Sequence, residues 1–271
     1  MKKSSNPKPS NIHLMKKYSH VFIAMLMMSS SLAFIAQQKP TLHTIGDSTV
    51  RNSNKEYWGW GTPIAALFDT TRINVENNAM AGRSTRTFLS EGRWGKVLET
   101  LKPGDFVTMQ FGHNDGSVPD TTKAGYRGVL KGIGEETKVL TWPDGKVETV
   151  HTYGWYIRKF VKETKAKGAT PIIVSMIPRN QFKDGKVLRA DQSFGKWAAE
   201  VAKEENAFFI DLNKISGDKY DAMGPEKVKA FFPGDHTHTN LEGAKLNAQS
   251  VIEGVIALRD CKLKDYIKKV E

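Results

Sequence analysis

Cysteine is almost absent: Cys261 is the only one in 271 residues. One thiol can form neither an intrachain disulfide nor a thiolate metal site. Long apolar runs are missing too. Residues 21–28 form an apolar stretch, but a membrane-spanning helix needs roughly 20 residues. Internal repeats and low-complexity linkers are lacking. Basic residues outnumber acidic ones, 40 to 29, for a formal net charge of +11. Much of that excess is local. Residues 1–33 hold five lysines and no acid, which leaves 35 basic and 29 acidic side chains in residues 34–271, or +6. That part has no long basic run and no zinc-finger spacing, which argues against a nucleic-acid partner. A modest positive excess suits an anionic partner such as an acidic polysaccharide.

The N-terminus reads as a targeting segment. Lys16-Lys17 precede the apolar stretch, and Ser31-Leu32-Ala33 supply small residues at −3 and −1 for cleavage before Phe34. The expectation is a signal peptide over 1–33, with Met15 as an alternative start, and one domain over 34–271. The domain would be exported, to the periplasm or beyond the cell, with no stable membrane insertion after cleavage.

β-rich apolar runs recur at residues 42–45, 72–75, 106–111, 171–177 and 207–212. Several lack strict alternation, as strands covered on both faces do. Helical patterns lie between them, at 153–167 and 191–205, with a long stripe from Leu241 to Val255. Strand–helix alternation predicts an α/β fold of three layers (α/β/α), built on a flavodoxin-like parallel five-stranded sheet. Residues 137–150 break the pattern. Trp142-Pro143-Asp144-Gly145 reads as the turn of a β-hairpin inserted over or beside the site.

Four short blocks carry the chemistry. Gly46-Asp47-Ser48 follows the first strand, which places Ser48 at a strand's carboxyl end. A serine hydroxyl is a weak nucleophile unless a base lies within hydrogen-bond reach. Asp235-His236-Thr237-His238 supplies that base. The three-residue spacing lets Asp235 hold one nitrogen of His238 while the other faces Ser48. His236 is the rival base and reads better as a surface or supporting histidine. Ala81-Gly82-Arg83 and Gly112-His113-Asn114-Asp115 offer oxyanion donors: the Gly82 N–H, the Asn114 amide and the Ser48 N–H. Each block alone also fits an ordinary turn. His113, Asp115, Asp235 and His236 could be read as metal ligands, but the same blocks already make a complete serine-hydrolase set, so no metal and no cofactor is expected.

In their wider strings the blocks resemble the SGNH (GDSL) hydrolase superfamily. Its Ser, Gly, Asn and His, with an Asp three before the His, fall on Ser48, Gly82, Asn114, His238 and Asp235. Gly46–Thr49, Asn78–Ser84, Glu91-Gly92-Arg93-Trp94, Phe111–Gly116 and Asp235–Thr239 are similar to rhamnogalacturonan acetylesterases. The resemblance runs from about Thr41 to the final helical stripe, nearly all of the domain expected over 34–271. It implies the SGNH hydrolase fold and a metal-free esterase that removes acetyl groups from pectin.

Arg83 and Arg86 flank the Gly82 loop and are candidate contacts for a galacturonate carboxylate. A structural ion pair is the alternative for both. Trp58 is a candidate sugar-stacking residue, and Trp60 shares that reading; burial in the core is the alternative. Two other functions stay open: an esterase of the same superfamily acting on acetylxylan, a short-chain ester or a lipid, and a non-catalytic carbohydrate-binding protein.

Overall fold

Strand β1 (Thr41–Gly46) is buried along its whole length; the computed structural model to which it belongs describes residues 39–52 and 56–269. The expected signal peptide lies outside the described residues. The compact unit that contains the sheet begins at Pro40. A 3-10 turn at Pro63–Leu67 leads to β2 (Asn74–Asn77). Two short helices, α1 (Thr85–Ser90) and α2 (Arg93–Thr100), precede β3 (Phe106–Gln110). The hairpin of β4 (Thr137–Thr141) and β5 (Val147–His151) runs into α3 (Tyr153–Ala166) and then β6 (Thr170–Val174). A two-residue ladder of β7 (Phe182–Lys183) and β8 (Lys186–Val187) follows. Then come α4 (Phe194–Glu204), β9 (Phe208–Ile210), α5 (Leu212–Met223), α6 (Pro225–Lys229), α7 (Leu241–Ala257) and a 3-10 turn at Lys262–Tyr266.

The main sheet has the order β2-β1-β3-β6-β9, and every neighbouring pair is parallel. This is the flavodoxin-like order the sequence predicts. Period-two alternation divides the strands between two cores. Ile45, Val107, Met109 and Ile173 face a cluster with Phe88, Trp94, Phe160 and Val201 from α1–α4. Leu42, Phe106, Ile172 and Val174 face a cluster with Ile64, Leu212, Ala248 and Val251. Phe160 is fully buried, 5.0 Å from Trp94 and 5.9 Å from Phe111 between ring centroids. Each such ring contributes about 1.5–3 kcal/mol by leaving water.

Differences from the sequence reading are local. The second strand begins at Asn74, not Arg72, because the N–H groups of Arg72 and Ile73 close a turn onto the Asp69 carbonyl. Helix α4 begins at Phe194, not Asp191, because the Ala190 carbonyl accepts from Ser193 and Gly195 in a turn. Helices α1 and α2 were not expected. They are short, and Gly92 separates them in a left-handed conformation (φ 70°). The hairpin forms where its turn residues predict, with the Trp142 N–H donating to the Lys146 carbonyl at 2.8 Å. Among the described residues, no helix is long and apolar enough to cross a membrane.

Candidate active site

Parallel strands deliver their carboxyl ends to one edge of the sheet, where crevices form. Here β1, β2 and β3 end on the Ser48, Gly82 and Asn114 blocks in turn. The pairing sets Gly46 opposite Gln110. A side chain at Gly46 would lie 2.5 Å from the Gln110 carbonyl, so only glycine permits this approach. The Asp47 carbonyl then accepts from the N–H groups of Val50 and Arg51, which turns the chain sharply at Ser48. Ser48 is 6% exposed.

The loop before α7 brings the base. Ser48 Oγ is 2.8 Å from His238 Nε2, and His238 Nδ1 is 2.7 Å from Asp235 Oδ2. Asp235 Oδ1 accepts from the backbone N–H groups of Thr237 and His238 at 2.7 and 2.8 Å. Burial would raise this carboxyl, but the His238 ring and those backbone donors outweigh it and hold Asp235 down at about 2. An ionised Asp235 keeps the proton on Nδ1 and leaves Nε2 to take one from serine. Tyr57 packs against the His238 ring, with centroids 5.2 Å apart.

The candidate oxyanion donors lie on the loops after β2 and β3, the strands that flank β1. Gly82 takes φ +76°, a left-handed conformation that favours glycine. Among the described residues, neither the Ser48 nor the Gly82 N–H has a hydrogen-bond partner. Asn114 donates one Nδ2 proton to the Arg83 carbonyl at 3.1 Å, and its Oδ1 accepts from Arg127 Nη1 at 2.9 Å. Those two bonds fix which end of the amide is nitrogen and leave its second proton for an oxyanion.

A buried polar layer lies beneath these groups. Asp47 Oδ1 accepts from the Thr49 N–H and hydroxyl, Thr49 Oγ1 from Gln110 Nε2, and Gln110 Oε1 from Trp60 Nε1. Asp115 accepts from the Thr85 N–H and hydroxyl through Oδ1, and from the Gly112 N–H through Oδ2. It therefore ties the loop after β3 to the first residue of α1. Burial pushes Asp47 up to about 6 against the pull of its Thr49 bonds. It pushes Asp115 up to about 7 against its Thr85 bonds, and the charge of Asp47 adds to the rise.

The structure joins Ser48, His238 and Asp235 by hydrogen bonds, and it links Gly82 and Asn114 through Arg127 on the strand-end loops beside Ser48. His236 is exposed, and its carbonyl accepts from the Asn180 N–H. Trp58 stays at the surface, 36% exposed, with its N–H and carbonyl bonded to Thr239 directly after the base. Trp60 is fully buried, a core residue. Arg83 lies at the site's edge, but its guanidinium donates to Glu91 at 2.9 Å and to the Ala81 carbonyl. Arg86 is a correction. It is 1% exposed and forms a double hydrogen bond to Glu148 of the hairpin at 2.8 and 2.7 Å, so it is a structural clamp and not a substrate contact. Among the described residues, no three His, Cys, Asp or Glu side chains gather as a metal-binding group. Sequence reasoning missed Arg127 and Tyr57, which lie outside the blocks. It weighed Asp115 only as a metal ligand, although its place beside Asn114 was a signal.

The chain matches the model of the GDSL-like lipase/acylhydrolase family over residues 44–246. It is 32% identical over 234 residues to a rhamnogalacturonan acetylesterase of Emericella nidulans, covering 86% of this chain and 91% of that protein. It is 29% identical to a probable rhamnogalacturonan acetylesterase of Bacillus subtilis, covering 79% of this chain and 88% of that one. Among solved structures, the protein YxiM of Bacillus subtilis superposes with a TM-score of 0.64 at 24% identity; 81% of this chain and 56% of that one are covered. With its Ser48, Gly82, Asn114 and His238 blocks set at the ends of a parallel five-stranded sheet, the chain belongs to the GDSL-like lipase/acylhydrolase family.

Proposed function

We propose that the chain is a carbohydrate O-acetylesterase that removes acetyl groups from pectic polysaccharide of the rhamnogalacturonan type. The Ser48–His238–Asp235 relay carries the esterase reading: both bonds are below 3 Å and run from a buried hydroxyl to an ionised carboxylate. The substrate class is supported by the relatives named above and by a basic domain suited to an acidic polymer.

In the reaction, Ser48 Oγ attacks the acetyl carbonyl as His238 Nε2 takes its proton. The oxyanion meets the Ser48 and Gly82 N–H groups and the free Asn114 proton. Collapse expels the sugar hydroxyl, which leaves with the proton from His238. Water, activated by the same nitrogen, then releases acetate and restores Ser48.

Export belongs to the same proposal and rests on the charged, apolar and small-residue order of residues 16–33. N-terminal sequencing of the protein from its producing cell is expected to begin at Phe34. For the substrate, the test is acetate release from acetylated rhamnogalacturonan, with acetylated xylan and Ser48→Ala alongside. Release from the pectic polymer, lost in the mutant, is expected. Release from xylan alone would keep the relay and discard the pectic substrate. Binding of the pectic polymer without any release would make the chain a carbohydrate-binding protein.

A further inference from the structure

A groove of about 340 Å³ opens beside the Gly112–His113 loop, at the carboxyl end of β6. Met176, Pro178, Leu188 and Phe194 give it apolar walls, and two arginines reach it, Arg179 and Arg189. Arg189 is already neutralised, at 3.1 Å from Asp218 and 2.7 Å from Asp221. Arg179 is different. Its Nε donates to His113 Nδ1 at 3.4 Å and its Nη2 to the His113 carbonyl at 3.3 Å, both neutral acceptors. Burial and the Arg179 charge push the His113 imidazole down to about 3, so it stays uncharged. Among the described residues, no carboxylate pairs with Arg179 and no acceptor meets its Nη1.

Apart from Arg127, the other half-buried or buried arginines of the domain are matched by acids: Arg83 and Arg93 by Glu91, Arg86 by Glu148, and Arg158 by Glu135 and Glu204. Arg127 has no acid, but its Nη1 is spent on Asn114 and Gly82. A partly desolvated guanidinium with only neutral partners is costly, and an anionic ligand would complete it. The position suits a ligand of the site. The Asn180 N–H donates to the His236 carbonyl at 2.8 Å, so Arg179 stands between the loop that carries Asn114 and the loop that carries His238.

We propose that Arg179 binds the carboxylate of a hexuronate unit neighbouring the acetylated sugar, with that unit's C–H face against the apolar wall formed by Met176 and Leu188. This subsite deepens the pectic-esterase reading and rests on it. The planar guanidinium fork matches a carboxylate. The apolar wall takes the weakly polar face of a pyranose, as ligand sites with few polar anchors do. The role expected of Arg83 and Arg86 thus passes to an arginine that bonds to His113, the residue before Asn114.

The test is competition against 4-nitrophenyl acetate hydrolysis. The competitors are deacetylated rhamnogalacturonan oligosaccharides, with their carboxylates intact or reduced to alcohols. The intact oligosaccharides are expected to inhibit the full protein at least about tenfold more strongly, the size of one charge-assisted hydrogen bond. Arg179→Gln is expected to erase that difference and Arg179→Lys to keep part of it. Equal inhibition by the two competitors, or no inhibition by either, would overturn the subsite. So would a preference that persists in Arg179→Gln. If Arg179→Gln does not fold, Arg179→Lys decides: a weakened preference supports the subsite and an unchanged one refutes it. A wild-type protein that keeps the charge preference but releases no acetate from the acetylated polymer would remove the pectic substrate and leave the subsite standing.

Discussion

The two halves of the site are held in different ways. On the nucleophile and oxyanion side, three strand-end loops are locked by buried groups far apart in sequence. Asp115 reaches back 30 residues to Thr85, and Arg86 reaches forward 62 residues to Glu148. On the base side, Asp235 and His238 lie three residues apart, and Asp235 caps its own loop through Thr237 and His238. Asp235 is exposed, and few distant bonds hold the segment: the Thr239 pairing with Trp58, the Asn180 bond to His236 and the Ser48 bond to His238 itself. One half is positioned by the fold and the other by a local turn. Damage to the first should appear as lost stability, and damage to the second as lost turnover.

Asp235→Asn separates the halves most sharply. The loop keeps an oxygen acceptor, but the imidazole loses the carboxylate that fixes its tautomer, so kcat should fall about 10⁴-fold. Thermal melting should barely move. A large drop in melting temperature would show that the base loop is structural after all. Arg86→Met is the converse. It leaves Glu148 without its cation and should cost about 3 kcal/mol in denaturant unfolding. Adding Glu148→Met should restore most of that loss, since an apolar pair replaces a broken ionic one. Failure of the second change to restore stability would point to the Gly125 and Gly128 carbonyls, which Arg86 also holds. Asn114→Ala stands between the two, because it removes a donor and an anchor of the Arg83 carbonyl. Its kcat should fall about 10²–10³-fold, as for loss of one oxyanion donor. An equal rise in KM with unchanged kcat would mean that the amide binds ground-state substrate only.

The smallest effect is in the pH dependence of stability. Asp47 and Asp115 hold protons more tightly when folded, at about 6 and about 7, than an ordinary Asp near about 4. The folded state therefore binds the extra protons between about pH 4 and 7, and stability declines as pH rises through that window. Asp235 acts oppositely. Held at about 2, it contributes stability above about pH 4 that is lost as pH falls through 2; its exposure keeps this limb shallow. His113, held uncharged at about 3 against an ordinary imidazole near 6.5, opposes that decline between about pH 3 and 6.5, so the net loss of melting temperature should be clearest above about pH 6, where Asp115 gives up its extra proton. Asp235→Asn should remove only the part of the acid flank below about pH 4, since the buried His113 carries the rest. A maximum above pH 7 would contradict the assignment to Asp47 and Asp115.

The sheet, its order and the places of the four site blocks at its strand ends were legible because each lies in one contiguous stretch. An apolar run followed by Gly-Asp-Ser or Gly-His-Asn-Asp names both a strand and its exit. The hairpin was legible through Trp-Pro-Asp-Gly, since turn chemistry is local. The role of Arg86 was not, because its partner Glu148 is joined to it only by the fold. Trp58 and Trp60 read alike in sequence, and only the packed structure separates a surface ring from one bonded to Gln110. Arg127 and Arg179 carry no local signature, because each matters through the Asn114 loop it touches.

If Ser48 is the nucleophile of a two-step acyl transfer, it carries the acetyl group between the two steps. The most direct measurement is mass spectrometry of the protein quenched during turnover of an acetyl ester, followed by peptide mapping. An acetyl adduct on the peptide that contains Ser48, absent from Ser48→Ala, is the predicted result. Turnover with no adduct there, or an adduct on another residue that persists in Ser48→Ala, would contradict it.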